Sequence, residues 1–374
     1  MWSIALKTLI SDRGKLLTAL VGVVFAVALV NIQGGLFIGL LRKASLLVEH
    51  SDADIWVGHY RMHNVDFPHD IPRRWQYRIA GTPGVARAEP YLIGWSNMTL
   101  PSGSWEAVVV VGMPPGAKLG RPWNLEAGSS DALLQTDGII VDAYEMEKIE
   151  SPELNERREI GGHRAKIAAK TRGVTGFLVA PYVFTTYDRA VEYTGKSPDA
   201  ASYFLVKVEP GADVIEVRDR IRARIPDAEV LTADEYAWTS IWFWLVRSPI
   251  GVGFGAATLL GLVVGTIIIA ESLYTLVLDR LSEIGTLKAI GATDVHVNRL
   301  VLTQAVLLAW VGASIGLAIT AAMQAFLDGP VSPIVIPWWL SMGSCALAVM
   351  TCLIASIVPC ARIRRVDPLM VLQG

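Results

Sequence analysis

Arg280-Leu-Ser-Glu-Ile-Gly-Thr-Leu-Lys-Ala-Ile-Gly-Ala-Thr293 is a charged interlude between two long apolar segments. Leu281, Ile284, Leu287 and Ile290 recur every third position, with Arg280, Glu283 and Lys288 between them. This spacing predicts a short helix whose apolar stripe drifts around the axis. Gly291 suits the left-handed position just past a helix, and Thr293 or Asp294 suits the cap of the next. By physics alone, two readings stand: helix, sharp stop and new helix, or an ordinary membrane loop with basic residues on the cytoplasmic side.

Around this stretch the chain is 52% hydrophobic and 18% charged over 374 residues, which implies a mixed membrane and water-soluble architecture. A net charge of −2 gives no basic field, so a nucleic-acid role has nothing to rest on. Cys345, Cys352 and Cys360 fall in the last apolar segment without companion ligands and read as packing residues.

The expected fold class is an α-helical membrane protein with four transmembrane helices plus an inserted extracytoplasmic α/β (α+β) domain. Residues 1–15 read as a cytoplasmic amphipathic helix. Residues 16–41 form the first span, and Ala26-Val27-Ala28 within it mimics a cleavage site but is expected to stay uncleaved because the apolar run continues. Residues 42–244 carry charges and turn clusters throughout and form the extracytoplasmic domain. The second span occupies 245–278, its apolar run beginning near Pro249. The polar segment covers 279–299, the third span 300–327, an external loop 328–333, the fourth span 334–360 and a cytoplasmic tail 361–374. Aromatic clusters Tyr236-Ala-Trp-Thr-Ser-Ile-Trp-Phe-Trp244 and Pro337-Trp-Trp339 fit the headgroup belt. With the N-terminus inside, nine Lys and Arg flank the spans on the cytoplasmic side against three outside, which orients both termini inward.

Within the domain, residues 53–57, 72–80 and 85–92 read as strand, helix and strand. Residues 202–208, 214–225 and 229–231 repeat the pattern, so the first and last parts of the domain are expected to pack together.

Motifs for chemistry are weak. Gly195-Lys-Ser197 lacks the upstream glycine of a phosphate loop, and Gly251-Val-Gly-Phe-Gly-Ala256 opens an apolar span with no preceding strand. The pairs Gly251/Gly255, Gly261/Gly265 and Gly312/Gly316 fit close helix contacts instead. His59, His63 and His69 read as a solvated loop rather than a metal site, and no catalytic residue or metal is assigned. Glu271, an intramembrane carboxylate, reads either as functional or as hydrated near the interface. Asn31, Gln33, Gln304 and Gln324 suit bonds between helices.

The string Glu283-Ile-Gly-Thr-Leu-Lys-Ala-Ile-Gly-Ala-Thr293 resembles the cytoplasmic coupling segment of FtsX/MacB-type permeases of ABC transporters. Within that family the chain is most similar to the DevC-like branch, through Tyr274-Thr275, Asp279-Arg-Leu-Ser-Glu283, Met350-Thr-Cys-Leu-Ile354 and Arg364-Arg-Val-Asp-Pro368. Val206-Lys-Val-Glu-Pro-Gly-Ala212 matches more loosely. DevC-like chains tend to carry an amide where Glu271 stands. The resemblance implies a type VII system in the cell inner membrane, with the large domain outside. In such a system a homodimer of this chain binds ABC ATPase subunits, which hold the ATP; the permease itself needs no cofactor. It further implies ATPase coupling through Arg280, Glu283, Ile284, Gly285, Leu287, Lys288, Ile290, Gly291, Ala292 and Thr293. Export of a lipid, glycolipid or other amphipath with a periplasmic adaptor (membrane fusion) protein is the first functional expectation. Mechanotransmission to an extracytoplasmic hydrolase, without transport, is the alternative.

Overall fold

The structure is a computed structural model that describes residues 13–178, 180–278, 293–327, 334–357 and 360–361. The chain divides into two units, Met1–Gly39 with Pro249–Gly374, and Leu40–Ser248. The expected fold class holds: four helices are long and apolar enough to cross a bilayer, and an α/β domain is inserted after the first.

In the helical unit the long elements are Arg13–Lys43, Pro249–Leu278, Asp294–Leu327 and Trp338–Ala355. They share a core of small and branched residues, among them Ala19, Val23, Val27, Ile269, Ala305, Ala309, Ala313, Ala348 and Cys352. Small side chains let backbones approach in a solvent where burial of apolar surface gives helices no net attraction for one another. Polar side chains add cross-links. Asn31 Nδ2 donates to Ser344 Oγ at 2.7 Å, and Thr258 Oγ1 donates to Gln33 Oε1 at 3.1 Å. Gln324 Nε2 donates to the Ile334 carbonyl at 2.9 Å, and Gln304 is buried. Cys352 lies in the core and Cys345 packs against it, as their apolar setting suggests.

In the second unit, strand Ile55–His59, helix Trp75–Ala80 and strand Val85–Thr99 form one β-α-β half. Strand Tyr203–Val208, helix Val214–Arg224 and strand Ala228–Thr232 form the other. Their spatial order is Ala228–Thr232, Ile55–His59, Tyr203–Val208, Val85–Thr99, with antiparallel neighbours throughout. This is the split β-α-β order of ferredoxin-like domains. The two ends of the domain therefore interleave in one sheet.

Side-chain alternation explains how both faces of that sheet are buried. Ile55, Val57, Phe204 and Val206 face a core with Ile79, Val217 and Ile221 of the helices. Trp56, Tyr203 and Leu205 face the opposite core with Tyr91 and Tyr236. A strand covered on both sides needs apolar residues at successive positions, which Ile55-Trp56-Val57 supplies.

Strand Val85–Thr99 runs farther than the expected 85–92. Its first half pairs with Tyr203–Val208, and its second half pairs with Trp105–Met113 from Leu92↔Gly112 to Thr99↔Trp105. Gly94 lies inside this strand with Thr194 packed over it: a Cβ on Gly94 would lie 2.7 Å from Thr194 Cγ2. The strand thereby carries the sheet into the middle segment, where Tyr182–Thr186, Gly138–Asp142, His163–Thr171 and Leu125–Ala127 continue it. The helix expected over 72–80 begins instead at Trp75, because Ile71–Pro72 pairs with Ala200–Ala201.

Candidate functional site

Most of the residues expected to couple to an ATPase, Arg280, Glu283, Ile284, Gly285, Leu287, Lys288, Ile290, Gly291 and Ala292, lie outside the described residues. Thr293 is described and stands immediately before helix Asp294–Leu327. Its carbonyl accepts from the His296 amide at 2.9 Å and its hydroxyl meets His296 Nδ1 at 2.7 Å, so the side chain closes the first turn.

The glycines divide by what faces them. A Cβ on Gly312 would stand 2.6 Å from Val23 Cβ, and one on Gly316 would stand 2.9 Å from Val27 Cβ. Gly265 faces Ala26 at 3.0 Å, and Gly261 faces Leu29 Cδ2 at 1.7 Å. Both pairs thus receive the first apolar helix, on neighbouring faces. Gly255 behaves differently: among the described residues nothing lies within 4 Å of its added Cβ, so none of them makes the close contact expected there. Its helix turns that position outward. Gly251 is buried.

Glu271 lies on the exposed face of helix Pro249–Leu278, following Leu260, Val264 and Ile267 at spacings of four, three and four. Its carbonyl accepts from Thr275 Oγ1 at 2.8 Å. The look-alike Gly195-Lys-Ser197 has a structural account: Gly195, at φ 65, ends helix Tyr187–Thr194 in the left-handed conformation, and Lys196 pairs with Asp70. Among the described residues no group of three His, Cys, Asp or Glu is arranged to hold a metal.

Two family models cover the chain. Residues 16–224, more than half of it, match the MacB-like periplasmic core domain, and residues 255–368 match the FtsX-like permease C-terminal region. The chain belongs to the MacB/FtsX family of ABC-type permeases. Its matched regions are therefore those of a membrane permease.

A putative hemin transport system permease protein from Staphylococcus haemolyticus is 25% identical over 116 residues, 30% of this permease and 32% of that relative. The matched part spans about a third of that protein. Among solved structures, the periplasmic region of MacB from Actinobacillus actinomycetemcomitans is similar over 50% of this permease and 92% of that chain, at 8% identity and TM-score 0.39. The extracellular domain of the noncanonic ABC-type transporter YknZ from Gram-positive bacteria covers 48% and 98%, at 11% identity and TM-score 0.36.

Two features of this permease were not legible as sites in its sequence. Asp66 is buried in the extracytoplasmic domain, where Tyr182 Oη donates to its Oδ1 at 3.3 Å and the Trp95 indole donates to its carbonyl. Asp66 Oδ2 and the Trp244 indole nitrogen are both buried without a hydrogen-bond partner among the described residues. Burial pushes the Asp66 carboxyl up to about 6, with Tyr182 and Trp244 opposing the shift. The second feature is a groove with room for about 390 Å³, lined by Arg61, His63, Glu229, Trp238, Trp242 and Arg247. The available signal was the aromatic run ending at Trp244, which reads as a headgroup belt. That run takes a five-residue π turn at Phe243–Arg247 before Pro249.

Proposed function

We propose that this chain is the permease subunit of an ABC exporter: a homodimer that couples ATP hydrolysis on a partner ATPase to outward movement of a lipid, glycolipid or other amphipath. The observation that carries this reading is the polar segment 279–293, set between two membrane-spanning helices inside the FtsX-like region. A permease with no nucleotide motif in that region uses ATP only through a contact, and this segment supplies charged and apolar side chains for one. Coupling is assigned to Arg280, Glu283, Ile284, Gly285, Leu287, Lys288, Ile290, Gly291, Ala292 and Thr293.

Dimerisation is supported by helix Pro249–Leu278, whose apolar window is the least buried of the four at 17%. Its outward stripe of Leu260, Val264 and Ile267 ends on Glu271, a carboxylate that is costly against lipid and better accommodated beside a second protein surface or the headgroups. A periplasmic adaptor that receives the cargo completes the DevC-like arrangement. Transport is favoured over force transmission by the matched relative's description as a transport-system permease.

The test is reconstitution of the chain with its ATPase in vesicles carrying a fluorescent phospholipid and an external acceptor. ATP-dependent transfer to the acceptor is expected. An intact complex that turns over ATP and moves no amphipath would establish mechanotransmission instead.

A further inference from the structure

The groove beside Trp238 and Trp242 has the charge and the surface of a lipid-headgroup site. Arg61 is held in the left-handed region, φ 63, with its amide donating to Glu229 Oε2 at 2.9 Å. Its guanidinium lies over the Tyr60 ring, 5.3 Å from the centroid. Arg247 Nη1 contacts His63 Nδ1 at 3.3 Å, and the His63 ring stacks on Phe243. Among the described residues neither guanidinium forms an ion pair with a carboxylate. Burial, and then Arg247, lowers the His63 pKa from its ordinary value, so the imidazole is neutral at pH 7. Two guanidinium charges against Glu229 leave the groove with one net positive charge.

Beside this charge lie Trp238 and Trp242, stacked at 6.3 Å and exposed by 62% and 46%. Indoles with one apolar face and one donor are the side chains best suited to the headgroup layer. In sequence, Arg247 precedes by two positions Pro249, the first residue of a helix long and apolar enough to cross a membrane.

We propose that this groove binds the headgroup of an anionic phospholipid, with Arg61 and Arg247 taking the phosphodiester and Trp238 and Trp242 packing on the glycerol and upper acyl region. Planar guanidinium forks match phosphate oxygens, and one net positive charge matches one phosphodiester. The site is independent of whether that lipid is cargo.

The test uses the full chain in mixed micelles of phosphatidylglycerol and phosphatidylcholine, with retained lipids counted by native mass spectrometry. Wild type should retain phosphatidylglycerol in preference by about tenfold, the scale of one charge-assisted pair. The double variant Arg61→Gln/Arg247→Gln should fall to near parity, while Arg172→Gln, on a distant surface pair, should behave as wild type. Glu229→Gln keeps an acceptor for the Arg61 amide and removes the opposing charge, so it should strengthen the preference and gives a reading even if the double variant folds poorly. Parity in wild type, an unchanged preference in both groove variants, or displacement of phosphatidylglycerol by millimolar inorganic phosphate would overturn the proposal, the last by showing a small-anion site.

Discussion

Asn31 and Ser344 stand 313 positions apart, and the Asn31 amide donates to the Ser344 hydroxyl at 2.7 Å, joining the first apolar helix to the fourth. The same amide nitrogen donates to the Val27 carbonyl at 2.8 Å, so it keeps one partner if the serine is lost. Hydrogen bonds between membrane helices average about 0.6 kcal/mol and seldom exceed about 1.7. Ser344→Ala is therefore expected to lower stability by about 0.5–1 kcal/mol in a denaturing-detergent titration. A loss of several kcal/mol would mean that Ser344 does more than accept this bond.

Gly312 and Gly261 both face the first helix, but they differ in what must yield. At Gly312 the obstacle is Val23 Cβ, fixed to the backbone, whereas at Gly261 it is the far end of Leu29. Gly312→Ala is expected to destabilise the helical unit by about 1–3 kcal/mol, and Gly261→Ala by less, because Leu29 can change rotamer. Gly255→Leu should leave the monomer's stability unchanged, since no described residue faces it. Unfolding midpoints of the three variants in one detergent check the ranking. Equal losses at Gly255 and Gly312 would contradict it.

The coupling proposal concerns residues read from sequence. Glu283 and Lys288 supply opposite charges on one short segment, and Gly291 suits a left-handed stop that a β-branched residue resists. Gly291→Val, or reversing both charges, should leave membrane insertion and the extracytoplasmic fold intact while reducing co-purification of the ATPase several-fold. Variants that insert normally and retain full ATPase binding and turnover would leave the segment as a loop.

What could be read from the sequence follows from where one physical rule dominates. Long uncharged runs have few alternatives in water, so the four helices were evident from length and charge. The two β-α-β halves were legible because Ile55-Trp56-Val57 and Tyr203–Val208 are apolar on both faces and are followed by turn residues. Their interleaving was visible only as an expectation that the ends meet, since strand order depends on contacts across some 150 positions. The extent of strand Val85–Thr99 was hidden because what packs over its second half, such as Thr194 on Gly94, lies far along the sequence. The groove was hidden for a similar reason: Arg61 and His63 lie far in sequence from Trp238 and Arg247, and no local spacing links them. Asp66 sits between Val65 and Phe67 near two prolines, where a loop aspartate is normally solvated.

Asp66 gives the extracytoplasmic domain a defined pH response. An ordinary aspartate titrates near 3.8, while burial raises this one to about 6. Between those values the native state holds a proton that the unfolded state has released, so stability rises as pH falls from about 6 toward 3.8 and the full penalty applies above 6. Asp66→Asn keeps an acceptor for Tyr182 Oη and cannot ionise. It is expected to be more stable than wild type at pH 7.5 by an amount on the order of 2–3 kcal/mol, with the difference shrinking through the window and nearly gone at pH 4. His63, whose pKa is lowered, has the opposite sign: its native state holds fewer protons just below 6.5, so stability is lost there as pH falls. That contribution is common to both proteins and cancels in the difference. Thermal unfolding of the full chain and the variant in detergent, followed by tryptophan fluorescence from pH 4 to 8, measures it. Parallel curves across that range would show that Asp66 is not ionised at a cost in the folded domain.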